Sequence, residues 1–110
     1  MSEAFDAVNR EASWDRARNA LDAAAALLLP GESSEALVEF RDFIARNELE
    51  LAFDELVTIG DDLELDIRFW LLLDSAAREM RLYSAALDVP HLTSADLCRR
   101  HIAVHSESSA

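Results

Sequence analysis

Cys98, His101 and His105 are spaced C-x2-H-x3-H, which on a helix lines up a thiol and two imidazoles on one face, the donor types that zinc takes. Three donors fall one short of a structural zinc site. No second cysteine or histidine pair is present and Glu107 is the nearest further donor, so an ordinary terminal helix is the better reading, with His101 and His105 neutralising nearby carboxylates. Asp62, Glu64 and Asp66 alternate like the opening of a calcium-binding EF-hand loop, but Ile67 stands where that loop needs glycine and Leu73 where it needs the closing glutamate. No metal and no cofactor are expected.

Acid and base catalysis by paired carboxylates is easy to imagine in a chain with 22 acids. Such pairs need a pocket that separates their environments, and the acids here fall at surface phases of helices. There is no Ser-His-Asp signature, no H-E-x-x-H or E-x-x-H, and no glycine-rich phosphate loop. No catalytic residue is expected, and the chain reads as a non-enzyme.

The remaining chemistry is charge. Residues 47–66, "NELELAFDELVTIGDDLELD", hold eight carboxylates and no Arg, Lys or His, in a chain of ten arginines, no lysine and formal charge −12. A surface so acidic repels phosphate backbones and anionic lipid, which argues against direct nucleic-acid or membrane binding and for a basic protein partner. Solubility alone could account for acidity spread over the chain, but it does not account for the clustering.

The elements that position these groups are helical. Two prolines and two glycines in 110 residues leave little for tight hairpins, and Ala, Leu, Glu and Arg dominate. The length suits one domain with one core. We expect an all-α fold, a single-domain bundle of four main helices plus a short C-terminal helix, with 106–110 a frayed tail. The first helix should run from Glu3 to Leu29, with a bend between Ala12 and Trp14 where the apolar stripe jumps by roughly half a turn, and Ser13 could cap the second segment. The second should start at Ser34 around Leu37, Phe40 and Ile44, with Asn47 its stop or the cap of the next.

In the third helix Ala52, Phe53, Leu56, Val57, Ile59, Gly60 and Leu63 fall within about 80° of Leu49 on one inward face. Glu48, Glu50, Asp54, Glu55, Asp61 and Asp62 fall about 100° or more away, and Leu51 points outward among them. Gly60 could stop the helix or let another helix approach closely, and Leu63 in phase favours the second. Asp66 should cap a fourth helix over 66–87, wide in apolar surface at 69–73 and therefore central in the bundle or in a subunit interface. Thr93 or Ser94 should cap the last helix.

Residues 34–87 resemble the small immunity proteins of bacterial contact-dependent toxin systems, the MafI-like families. The shared pattern is a glutamate, two residues, Leu-Ala and a leucine four beyond, met here by Glu48, Leu51, Ala52 and Leu56, then an acidic loop with Leu63 and an amphipathic helix from Ile67 through Met80. Phe53 and the long amino-terminal helix depart from it. The resemblance implies a cytoplasmic, non-enzymatic antitoxin that binds a cognate toxin, often a basic nuclease, and blocks its active site. An acidic surface suits that task through steering and charge-assisted hydrogen bonds. The expected partner-binding residues are Glu50, Leu51, Asp54, Asp61, Asp62, Glu64 and Asp66, with Ala52, Leu56 and Leu63 reserved for packing. The rival is a small acidic interaction or regulatory protein, dimeric through 40–47 or 69–73. The amino terminus lacks the basic start and apolar core of a secretory signal, the longest apolar run is Ala23 to Leu29, and the lone Cys98 suits a reducing compartment, all consistent with a cytoplasmic address.

Overall fold

Leu49, Ala52, Phe53, Leu56, Val57, Ile59 and Gly60 all lie on the buried side of one helix, α3 (Leu49–Asp61), as the 100° periodicity requires. The computed structural model describes residues 3–28, 34–63, 65–84, 87 and 89–108, without the side chains of 3–10, 34, 36 and 106–108. The fold is all-α, with α1 (Glu3–Ala25), α2 (Ser34–Ala45), α3, α4 (Ile67–Glu79) and α5 (Thr93–Ser108), and no strand among the described residues. α3 packs against each of the other four helices, and the most extensive single contact is α1 on α4. α2 lies on α3, as their short link demands.

The link itself is a left-handed helix stop. Asn47 has φ 61°, its amide donates to Ile44 O at 3.0 Å, and the Glu48 amide donates to Phe43 O at 2.8 Å, the paired bonds that satisfy the last carbonyls of α2. Of the two roles open to Asn47, the stop is the one adopted, and Glu48 takes the N-cap position of α3 without a side-chain cap bond.

Several expected boundaries differ: α1 ends at Ala25 and not at Leu29, and α5 already includes Thr93 and Ser94, so neither stands before it as a cap. α1 does not break between Ala12 and Trp14. The Ser13 hydroxyl accepts from Arg16 Nη2 at 3.2 Å rather than capping a new segment, and Trp14 stays 44% exposed, so no bend is needed to bring its indole inward. Ala17, Leu21, Ala24 and Leu28 carry the buried stripe.

α4 ends at Glu79, a full two turns before 87. Arg81 turns left-handed with φ 59°, and the Leu82 amide closes back to Ala77 O at 2.9 Å. The chain then doubles over: Ser84 N donates to Val89 O at 2.7 Å and His91 N to Leu82 O at 3.1 Å, so Leu82 and Tyr83 are buried by a loop instead of a helix face. α5 runs on through 108, so 106–108 of the expected tail are helical, while 109 and 110 lie outside the described residues.

Gly60 is where α3 meets α4. A Cβ there would stand 2.6 Å from Phe69 Cε2 and 2.9 Å from Trp70 Cη2, both rings fully buried, so the helix passes through glycine because the aromatic pair occupies the space. Phe69 and Trp70 pack edge to face at 5.0 Å, and the other face of Trp70 stacks on His101 of α5 at 3.9 Å.

Candidate functional site

The side chains expected to meet a partner divide into two flanks of α3. On the flank toward α5, Asp54 accepts from the Ser94 hydroxyl and Asp61 Oδ1 lies 2.9 Å from His101 Nε2. The pairs are seven residues apart on both helices, which sets α3 and α5 running the same way in matched register. These two carboxylates are therefore tied to α5 as well as facing solvent. His101 lies between the Trp70 ring and the Asp61 carboxylate.

The outer flank is different. Leu51 is 48% exposed, and its helical neighbours three and four residues away are Glu48, Asp54 and Glu55. Asp62 is exposed at the end of the helix, and no described cation pairs with it or with Glu50. Burial raises the Glu55 carboxyl above its ordinary value, and the negative charges of Glu39 on α2 and Asp54 raise it further. Repulsion on this flank is thus left standing in the free molecule. Glu55 and Glu39 were not among the expected contact residues; Glu55 stands four residues beyond Leu51, the spacing that puts side chains side by side, and that spacing could have identified it.

The connector after α3 explains the acidic alternation. Leu63 and Leu65 are partly buried against the core, which turns Asp62 and Asp66 outward. Asp66 caps α4 as expected, accepting from the Arg68 amide at 2.8 Å. That bond, with the Arg68 and His105 charges, holds its carboxyl below the ordinary value. Glu64 lies outside the described residues.

The Cys98, His101 and His105 trio does not converge as ligands. The buried Cys98 thiol donates to Trp70 O at 3.3 Å and is pushed up to about 12 by burial and the Asp74 charge, while His101 serves Trp70 and Asp61. Among the described residues no group of three metal-ligating side chains is assembled. The apolar face of α4 is buried at Phe69, Trp70 and Leu73 between α1, α3 and α5, leaving Leu71 47% exposed.

Two open depressions flank these features. One, of about 180 Å³, is lined by Trp14, Asn47, Leu49, Glu50 and Met80; the other, of about 350 Å³, runs between α4 and α5 along Leu71, Asp74, Arg78, Arg99, Ile102 and Ala103. No described helix is long and apolar enough to cross a membrane. No family model, curated protein or solved structure matches the chain.

Proposed function

We propose that the chain is a cytoplasmic immunity protein, a non-enzymatic antitoxin that binds and neutralises a basic toxin domain through the outer flank of α3. The observation that carries this reading is Leu51, half exposed among carboxylates that no described cation pairs with. An apolar side chain in such a setting offers a docking partner a contact that excludes water, while the surrounding acids steer basic surfaces toward it. The standing repulsion among Glu39, Asp54 and Glu55 adds a reason to bind, because an arriving Arg or Lys relieves it. Glu50, Leu51, Glu55 and Asp62 form this flank. Asp54, Asp61 and Asp66 contribute field more than contact, being engaged with Ser94, with His101 and with the start of α4.

A second reading is a homodimeric interaction protein. Its support is the exposed Leu71 on α4 and Val104 on α5, beside the larger depression. The test that separates them is co-expression with the toxin-like product of the adjacent gene. Survival of the cells and co-purification of a one-to-one complex support immunity; no rescue and a self-associating chain support the dimer. In the complex, Leu51→Ala should speed dissociation by roughly tenfold if that leucine is an anchor, with association unchanged.

A further inference from the structure

The smaller depression has a composition that the acidic flank alone does not explain. Trp14 of α1 lines it with an indole that is 44% exposed, on a helix where Ala17, Leu21 and Ala24 are fully buried. Leu49 and Met80 add apolar lining, and Glu50 supplies a carboxylate for which no described residue provides an ion pair.

The backbone around it adds the same sign of charge. Asn47 ends α2 and Met80 ends α4, so two helix C-termini, where carbonyl dipoles carry partial negative charge, border the cavity. The positive end of α3, which also borders it, carries Glu48 at its N-cap and Glu50 in its first turn. Arg18 stands at the rim of the cavity, bonded to the side-chain oxygen of the lining Asn47 and paired with Asp15, while Arg16 pairs with Glu79 at 2.8 Å; no described ion pair joins either to Glu50.

We propose that this cavity is a receptor for a single arginine side chain of the basic partner. The guanidinium stacks on Trp14 and pairs with Glu50, while its aliphatic stem lies over Leu49 and Met80. Arginine fits better than lysine because a planar guanidinium can use the ring face and the two carboxylate oxygens together. The cavity adjoins the acidic flank through Glu50, so the inference rests on that flank meeting a basic protein and names the side chain that its edge selects.

The experiment is a titration of the whole chain, followed by nitrogen-proton correlation spectra, with acetyl-Gly-Arg-Gly amide as probe. The chain has two indoles, Trp14 and Trp70, and Trp14→Phe assigns their signals. The Trp14 indole and the amides of Leu49, Glu50 and Met80 should shift saturably with the arginine peptide, more weakly with its lysine counterpart, and not with the citrulline peptide, which keeps the shape and lacks the charge. Glu50→Gln should weaken binding by roughly two- to fivefold, the scale of one exposed ion pair. Equal shifts with citrulline, tighter binding of tetramethylammonium than of the arginine peptide, or no saturable shift at these residues would overturn the assignment. Those results would leave the co-expression outcome untouched, so failure of this pocket and failure of the immunity reading are told apart.

Discussion

Gly60 and Asp66 show what single side chains decide in this molecule. Replacing Gly60 by alanine would raise helix propensity by up to about 1 kcal/mol, but its methyl would enter space held by the Phe69 and Trp70 rings. Neither ring is free to move, since both are fully buried and Trp70 is also stacked on His101. Overpacking should dominate, and Gly60→Ala should lose about 1–3 kcal/mol in a denaturant titration. Asp66 makes a pH-dependent contribution. Its folded carboxyl sits below the ordinary 3.8, so the contribution is complete above that value and is lost as pH falls through the lower folded value. Thermal melts from pH 7 down to pH 2 should show this loss in the parent chain and not in Asp66→Asn, which keeps the cap without titrating. Asp66→Ala should melt lower than both at neutral pH.

At the scale of elements, the loop after α4 carries more than its irregular backbone suggests. The Tyr83 hydroxyl donates to Asp74 of α4, its ring lies under the guanidiniums of Arg78 and Arg99 at 5.1 and 4.2 Å, and burial raises its ionisation well above the usual phenol range. Tyr83→Phe should therefore cost about 1 kcal/mol by denaturant titration, because Asp74 keeps Arg78 at 2.9 Å as a partner. This loop was not legible in the sequence. Residues 80–87 contain no glycine or proline, and the stop falls on Arg81, a residue that enters the left-handed region at a cost of roughly 1 kcal/mol. The apolar stripe could be continued through Tyr83 on paper, and the tertiary burial of Leu82 and Tyr83 overrode it. By contrast α2 and the Asp66 cap were legible because their starts carry Ser34 and Asp66, and α3 because its apolar stripe keeps phase to the last turn. Leu51 was legible as an outward leucine. The Asp54–Ser94 and Asp61–His101 ties were not, since they join residues forty apart that no local spacing relates.

For the whole molecule, the described arginines shown in ion pairs work mostly within their own helices or next to them: Arg46 with Asp42, Arg78 with Asp74 and Arg100 with Asp96. Each such pair neutralises an acid of α2, α4 or α5, while Glu50, Glu55 and Asp62, on the outer flank of α3 and at its end, are in no described ion pair. A field of this kind acts chiefly on encounter, and salt removes it within about a Debye length of 10 Å at 0.1 M. The central claim is that this flank receives a basic protein. The measurement that tests it most directly is the association rate of the chain with the co-expressed toxin domain, at low and high salt, for the parent and for the combined variant Glu50→Gln, Asp54→Asn, Asp62→Asn. With folding midpoints matched, the variant should associate roughly tenfold more slowly at low salt and converge with the parent at high salt. Equal rates at low salt would contradict it and return the acidity of α3 to solubility alone.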